Sequence, residues 1–271
     1  MRRRSRAGSS RPVDALGALV LGAACLAAAL LGVAAVAVAL AGLPAVSVSL
    51  TPTTPRVAQP PPSCASAAPS TAAGYTALFA SLDTAAWGAG DVAISVPVGL
   101  RSVWLFGDTF SAGRFVHSSA ITQYRGCLHV SAGGAQLLPN DDATHIYWVQ
   151  SATVSSAAPG RQLVVRARAV VLTGTGGWDF RDGGFSRDAT TALDAAGDLT
   201  FISWGPRVFS PVPDPGPMYV YGAHHFGYGR LTHPELALAS GLVLVSVSQN
   251  WDDGTLHGYP DYRPTFSEAR R

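Results

Sequence analysis

The sequence predicts an all-β domain outside the cytoplasm, preceded by one N-terminal transmembrane helix. Three observations support this prediction: an uncharged apolar run near the N-terminus, a Pro- and Ser-rich stretch after it, and a series of short strand-like segments beyond residue 84. No stretch past residue 84 keeps the 3.6-residue apolar period that an amphipathic helix would show over several turns.

The N-terminal segment has the charge pattern of a membrane anchor. Residues 1–14 contain five arginines and one acid, and residues 15–43 contain no charged residue. A bilayer core needs about 20 apolar residues, whereas the apolar part of a secretory signal has roughly 7–15. We therefore predict a cytoplasmic basic tail over 1–14 and an uncleaved transmembrane helix over 15–43. Because arginines before such a helix stay in the cytoplasm, the rest of the chain is expected outside.

The charge balance argues against nucleic-acid and nucleotide partners. The net charge of +2 comes from the tail, because the residues past 50 contain 14 Arg and 16 Asp plus Glu. Nucleic-acid binding needs clustered basic residues on the folded domain. The chain has no lysine, which excludes a P-loop or a Schiff-base lysine. The Gly-rich stretch 174–184 is therefore expected to be a loop.

The exterior part is predicted to divide into a linker over 44–74, rich in Pro, Ser and Ala, and a folded domain over 75–268. Cys25 lies in the anchor, so Cys64 and Cys127 are the two exterior cysteines. Disulfides persist outside the cytoplasm, which favours a Cys64–Cys127 bond. Two unpaired thiols, or a bond between chains, are the alternatives.

The exterior domain is predicted to contain about ten short strands separated by Gly, Pro, Asp and Asn. They cover residues 92–98, 103–107, 115–122, 145–150, 163–172, 190–193, 199–204, 218–221, 236–239 and 242–247. Tyr75–Thr84 is expected to be a short helix or an extended entry. Regularly spaced short strands are typical of a sandwich, barrel or propeller. Aromatic residues recur near strand ends, which favours a β-propeller of four to five blades, or a reduced form of it.

The first predicted hairpin brings two carboxylates together. Gly99 and Leu100 suit a two-residue type II′ turn, which sets the register so that Asp91 faces Asp108. Pro97 removes a ladder donor, so the first strand is expected to be an edge. Directly opposed Cβ atoms lie about 4.5–5.5 Å apart, so the carboxylates repel and one pKa should rise. Such pairs serve acid/base chemistry or bind a cation, although an Asp here can also cap a turn.

Segments around this hairpin resemble a known family. They are Trp87-x3-Asp91, then Val103-Trp104-Leu105-Phe106-Gly107-Asp108-Thr109-Phe110, then Phe115–Ala120. They resemble the first blade of secreted five-bladed β-propellers related to glycoside hydrolases, including arabinanase-like enzymes and the endo-D-arabinanases of actinobacteria. Near the C-terminus His233–Leu238, Leu242–Asn250 and Tyr262-Arg263-Pro264-x-Phe266 resemble the closing blade of that group.

The resemblance implies catalytic roles for carboxylates that point into a central funnel. In such families a first-blade Asp acts as base or nucleophile, and later carboxylates act as acid and as pKa modulator. Asp91 and Asp108 match the first-blade positions, Glu235 is the candidate general acid, and Asp188 is a candidate third carboxylate. A surface Glu that starts a strand after His-Pro is the plain alternative for Glu235. The match covers the first and last blades, and about 190 residues are few for five blades of about 40 residues each.

Further residues are candidates for contact with a substrate. They are Trp87, His117, His225 and Trp251, although most Trp residues in strands belong to the core. The spacing of the histidines near residue 225 matches no zinc pattern, and substrate contact or loop packing is favoured there. Residues 250–254 resemble a calcium loop in composition and lack the downstream Glu. We expect no metal and no cofactor, with a bound calcium ion as the alternative.

The predicted function is that of a membrane-anchored, glycoside-hydrolase-like protein acting on a cell-envelope polysaccharide of the arabinan type. The membrane partner is the 15–43 helix. A non-catalytic carbohydrate-binding or scaffold propeller is the main alternative. A tethered partner-binding protein of the envelope, with an exposed apolar patch, is a third.

Overall fold

The structure is a computed structural model that describes residues 64–158, 161–174, 180–210, 219–220, 225–251 and 258–271. The predicted tail, the predicted transmembrane helix and the linker up to residue 63 lie outside these residues. None of the helices in the described ranges is both long and apolar enough to span a bilayer.

The described residues form fifteen strands, two short α-helices and one 3-10 turn at Ser131–Gly134. In chain order the helices and strands are α1 (Ala72–Ala80), β1 (Trp87–Gly90), β2 (Ile94–Val98), β3 (Arg101–Phe106), β4 (Thr109–Ser111), β5 (Arg114–Val116), β6 (Ser119–Tyr124), β7 (Cys127–Val130), β8 (His145–Val154), β9 (Gln162–Leu172), β10 (Phe180–Leu193), β11 (Leu199–Phe209), β12 (Tyr219–Val220), β13 (His225–His233), β14 (Val243–Trp251), α2 (Tyr259–Tyr262) and β15 (Thr265–Ala269).

The strands form four antiparallel sheets, which confirms the all-β class. Sheet A has the order β1-β4-β5, and sheet B has the order β2-β3-β6-β7. Sheet C has the order β11-β10-β9-β8, and sheet D the order β12-β13-β14-β15. Sheets C and D are each built from four strands that are consecutive in the chain, whereas in sheet B β3 pairs with β6 because β4 and β5 belong to sheet A.

Sheet B lies between two apolar clusters. On one face Val103 and Leu105 pack with residues of sheet C, such as Leu163 and Val165. On the other face the aromatic residues of β3 pack with α1 and sheet D, with Phe79 stacked edge-on against Trp104 at 5.1 Å. This division matches the alternation of β3, whose successive side chains point to opposite faces.

The predicted register of the first hairpin is confirmed. Ile94 pairs with Leu105, Val96 pairs with Val103, and the two-residue turn has Gly99 at φ 63. The predicted edge position of β2 is confirmed as well. The same register resumes in sheet A, where Gly90 pairs with Thr109. Asp91 and Asp108 therefore lie opposite each other, between two segments that pair in one register.

Other strand predictions differ from the structure. Residues 236–239 form a turn region rather than a strand, because Leu236 and Leu238 are apolar as loop residues buried against the aromatic cluster. The predicted strand 115–122 is divided into β5 and β6. Strand β13 was not predicted, since its Gly and Tyr residues show no apolar alternation. At the N-terminal side, α1 begins at Ala72, where Thr71 Oγ1 accepts a 3.1 Å hydrogen bond from the Gly74 amide.

The predicted disulfide is present. Cys64 and Cys127 are bonded, with Cα atoms 5.8 Å apart. The Gly126 amide also donates a 3.0 Å hydrogen bond to the Ser66 carbonyl. The chain before α1 is therefore fixed to the turn between β6 and β7.

Candidate active site

The two opposed carboxylates of the first hairpin lie at the junction of sheets A and B. The Asp91 amide donates a 3.1 Å hydrogen bond to the Asp108 carbonyl, and the Gly107 amide donates a 2.9 Å bond to the Asp91 carbonyl. These bonds fix the two backbones beside each other. A Cβ added to Gly107 would collide with Oδ1 of Asp91, so the close approach of this carboxyl to β3 requires glycine.

The backbone beside Asp91 is in an uncommon conformation. Val92 has φ 53, in the left-handed region that a β-branched residue rarely adopts. Its amide donates a 2.7 Å hydrogen bond to Ser248 Oγ on β14. The surrounding sheet thus holds a strained residue next to the carboxylate pair, as is common at functional sites.

Asp91 is the buried member of the pair. Its residue surface is 9% exposed, and Oδ2 accepts hydrogen bonds from the hydroxyls of Tyr228 at 2.6 Å and Tyr262 at 3.3 Å. Oδ1 is buried and has no hydrogen-bond partner among the described residues. Burial, followed by the nearby charge of Asp108, raises the pKa of Asp91 to about 7. The carboxyl is therefore protonated in a large fraction of molecules at neutral pH.

Asp108 is the more accessible member, with 13% of its side chain exposed. Its Oδ1 atom contacts His117 Nδ1 at 2.8 Å and accepts a 2.9 Å hydrogen bond from Trp148 Nε1. The pair thus joins Asp91, a buried carboxyl with a raised pKa, to Asp108, a partly exposed carboxyl held by two ring nitrogens.

Glu235 does not contact the pair. Ser95 donates to Glu235 Oε1, and Ser95 Oγ lies 2.5 Å from His233 Nδ1. His233 is fully buried, and burial lowers its pKa to about 4, so the ring is neutral. Its Nε2 atom lies 2.8 Å from Ser246 Oγ. If the neutral ring donates from Nδ1 to Ser95 Oγ and accepts at Nε2 from Ser246, every hydrogen-bonding group from Glu235 to Ser246 has a partner.

Asp188 lies on the surface of sheet C. It accepts two hydrogen bonds from Arg166, at 2.8 and 2.9 Å, and 38% of its side chain is exposed. Arg187 points to the other face, where it contacts Asp141 at 3.2 Å. The structure therefore brings Asp91 and Asp108 together and places Glu235 and Asp188 elsewhere.

The four predicted substrate contacts fall into three environments. His117 joins the pair through Asp108. Trp87 is fully buried in the aromatic cluster, 4.9 Å from Phe106, which is the environment of a core residue. His225 and Trp251 are cross-strand partners whose rings stack at 4.7 Å with an interplanar angle of 13°. That stacked pair lies on sheet D, the sheet that supplies Tyr228.

The described residues contain no group of three His, Cys, Asp or Glu side chains that could hold a metal ion. Residues 252–257, which include most of the predicted calcium loop, lie outside the described ranges. Of the Gly-rich stretch 174–184, residues 175–179 lie outside them as well, and residues 180–184 belong to β10, where the loop prediction is wrong.

Sequence reasoning missed three residues that contact the pair: Tyr228, Tyr262 and Trp148. Tyr262 stands in the segment that resembles a closing blade, which is a signal that could have identified it. Trp148 lies in a predicted strand, and nothing in the neighbouring sequence indicates its hydrogen bond to Asp108. Tyr228 lies 137 positions from Asp91 in a strand without an apolar pattern, so no local signal identifies it.

The chain was compared with known protein families, with characterised proteins and with solved structures. None of the three comparisons finds a match.

Proposed function

We propose that this protein is a membrane-anchored, extracytoplasmic hydrolase of glycosidic bonds whose reaction is carried by Asp91 and Asp108. The observation that supports this most directly is the difference between the two carboxyl environments. One carboxyl is buried and keeps its proton near neutral pH, and the other is accessible and receives N–H donors. Two carboxyl groups whose environments separate their protonation states are the usual acid and base or nucleophile of glycoside hydrolysis.

In the proposed reaction Asp108 is the carboxylate that attacks the sugar or activates water. His117 and Trp148 orient it through their bonds to Oδ1. Asp91 holds the proton that the leaving oxygen receives, and its unpartnered Oδ1 atom is the one left for that transfer. Because Oδ1 is buried beside Gly107, this role requires the site to open around Asp91 when substrate binds. The acid role thus moves from Glu235 to Asp91, and the reaction requires two carboxyl groups and water.

The architecture and location are also proposals. Sheets B, C and D each have four antiparallel strands, the strand number of a propeller blade, which supports a propeller of few blades. The Cys64–Cys127 disulfide supports an oxidising compartment outside the cytoplasm. With the uncharged run over 15–43 as the anchor, a cell-envelope polysaccharide of the arabinan type is the proposed substrate.

A non-catalytic carbohydrate-binding protein is the second candidate. The observation that favours it is the separation of the acids, because Glu235 and Asp188 have other partners and Asp91 is 9% exposed. In that case Asp91 would fix the first hairpin to sheet D through Tyr228 and to α2 through Tyr262, and the pair would hydrolyse nothing.

The test is hydrolysis of envelope polysaccharides by the purified full-length protein. Wild type and the variant Asp108→Asn are incubated with envelope arabinan and galactan, and released oligosaccharides are measured. We expect release by wild type and a loss of about 100-fold or more in the variant. Binding of a glycan without release by wild type would support the second candidate and reject the first.

A further inference from the structure

A second polar site lies at one end of sheet C. A cavity of about 350 Å³ opens between the start of β8, the end of β9 and the start of β10. This volume falls within the range of about 300–1,000 Å³ found for ligand pockets. Its charged or ionisable lining residues are Asp141, Asp142, His145, Arg181, Asp182 and Arg207.

The three carboxylates of this cavity are already occupied by donors of the protein. Both oxygens of Asp182 accept 2.5 Å hydrogen bonds from the buried Arg168. Asp142 accepts from the amides of Thr144 and His145 at 2.7 and 2.8 Å. Since these oxygens are satisfied, they offer few free acceptor positions to a ligand.

Asp141 is the most heavily bonded of the three. Oδ1 accepts from Arg187 at 3.2 Å, and Oδ2 accepts from Tyr147 at 2.8 Å and Arg207 at 3.0 Å. One negative charge therefore faces two guanidinium groups. This leaves a positive excess on the side of the cavity where Arg207 lies.

Two arginines keep unused donors at the cavity. Arg207 is 53% exposed and lies 4.6 Å above the Phe185 ring, and toward the described residues it donates from Nη2 alone. Arg181 is exposed and makes no ion pair within the described ranges. Five N–H donors in a planar fork make a free guanidinium a bidentate binder of carboxylate or phosphate. The cavity therefore offers donors and positive charge, and its ligand must supply the acceptors.

Strand β8 contributes a residue to the cavity and another to the carboxylate pair. Trp148, which donates to Asp108, is three residues from His145 on β8 and packs edge-on against Phe180 at 4.6 Å. Phe180 directly precedes Arg181. Residues an odd number of positions apart in a strand point to opposite faces, so Trp148 and Phe180 lie on the face of sheet C away from His145 and Arg181. The two sites therefore share strands of one sheet but not one surface.

We infer that the cavity at the end of sheet C binds an acidic saccharide unit, with Arg181 and Arg207 holding its carboxylate or phosphate group. The saccharide part of this ligand rests on the proposed function, whereas the anion site stands without it. The polysaccharide substrate would then carry acidic units beside the pentose units of an arabinan.

The test measures binding of small probes to the full-length protein by calorimetry at low salt. The probes are glucuronic acid, glucose 6-phosphate and neutral glucose. We expect one or both acids to bind at millimolar concentration and glucose not to bind. Binding of glucuronic acid alone indicates a uronic-acid carboxylate as the source, and binding of glucose 6-phosphate alone indicates a phosphate. Equal binding of all three, or binding of none, overturns the inference.

Variants locate the site. Arg181→Gln and Arg207→Gln are expected to weaken binding of the acid about tenfold each. Arg166→Gln is the matched control, because Arg166 is an exposed arginine of the same sheet, paired with Asp188 away from the cavity. A loss in the control as large as in the other two would mean a diffuse charge effect and would reject the site.

Asp108→Asn separates this inference from the proposed function. The variant is expected to bind the acid as wild type does while releasing no oligosaccharide. If wild type binds the acid but hydrolyses no polysaccharide, the anion site holds and the hydrolase proposal fails.

Discussion

The hydroxyl of Tyr228 donates a 2.6 Å hydrogen bond to Oδ2 of Asp91 and so joins sheet D to the first hairpin. Tyr262, from α2, contacts the same oxygen at 3.3 Å. Hydrogen bonds to a carboxylate favour its charged form, whereas burial and the charge of Asp108 oppose it. Burial and repulsion outweigh the two tyrosines, which is why the pKa of Asp91 is raised.

The stability of the protein should fall as Asp91 loses its proton. Its pKa is higher in the folded state than in the unfolded chain, so the folded state binds the proton more tightly. This contribution is complete below the unfolded-state pKa and is lost as the pH rises to about 7.

The comparison that isolates this effect is between wild type and Asp91→Asn, which keeps the shape of the protonated group. Urea unfolding is measured at intervals between about pH 4 and pH 8. The free energy of unfolding of wild type should decrease relative to the variant across this interval. Parallel curves for the two proteins would show that Asp91 ionises normally.

Removing the charge of Asp108 should lower the pKa of Asp91. The charge of Asp108 is the second cause of the raised value after burial, so Asp108→Asn removes one cause and leaves the other. We expect the pKa of Asp91 to stay above its ordinary value because the residue remains buried. Carbon-13 NMR titration of the Asp91 carboxyl measures it. An unchanged pKa would mean that the two carboxyl groups do not interact.

Tyr228→Phe should have the opposite effect on the pKa of Asp91. The hydroxyl of Tyr228 lowers this pKa, so its loss should raise the pKa further. Loss of a hydrogen bond to a buried group should also cost about 1–3 kcal/mol of unfolding free energy. Tyr262→Phe is the matched comparison, since its 3.3 Å contact is longer and should matter less. A larger effect of Tyr262→Phe in the same NMR titration would contradict this ranking.

The register of the pair was predictable, whereas its environment was not. A two-residue turn at Gly99 fixes the register over the whole hairpin, so local sequence sufficed to place Asp91 opposite Asp108. The tyrosines reach Asp91 from 137 and 171 positions away, through the packing of sheet D and α2. Such contacts depend on tertiary packing, and no strand period or turn signal encodes them.

The dependence on tertiary packing also explains why the strand prediction for residues 236–239 is wrong. Alternating Leu and Ala residues there resemble a half-buried strand, but they serve to bury Leu236 and Leu238 against the aromatic cluster from a turn. Conversely, β13 gains its strand conformation from pairing with β14 rather than from its own composition. Burial in a loop and pairing with a neighbour are both decided by the rest of the fold.

Reduction of the Cys64–Cys127 disulfide should destabilise the domain. The bond closes a loop of 63 positions, and loss of such a constraint on the unfolded chain costs about 4 kcal/mol. The double variant Cys64→Ala/Cys127→Ala and reduced wild type should lose the same stability in urea unfolding. Cys25→Ala is the control and should change nothing. If reductant leaves the transition of wild type unmoved, this bond does not constrain the unfolded chain.

Isosteric amide variants should separate the role of Glu235 from that of Asp91. In Glu235→Gln the new carbonyl oxygen can still accept from Ser95, and His233 stays neutral, so the network remains satisfied. Hydrolysis of envelope polysaccharide by the full-length protein should therefore stay within about twofold of wild type, whereas Asp91→Asn should lose about 100-fold or more. Thermal unfolding of both variants confirms that they are folded. A loss in Glu235→Gln as large as in Asp91→Asn would mean that Glu235 is the general acid. Its carboxyl would then have to leave Ser95 and approach the Asp91–Asp108 pair when substrate binds.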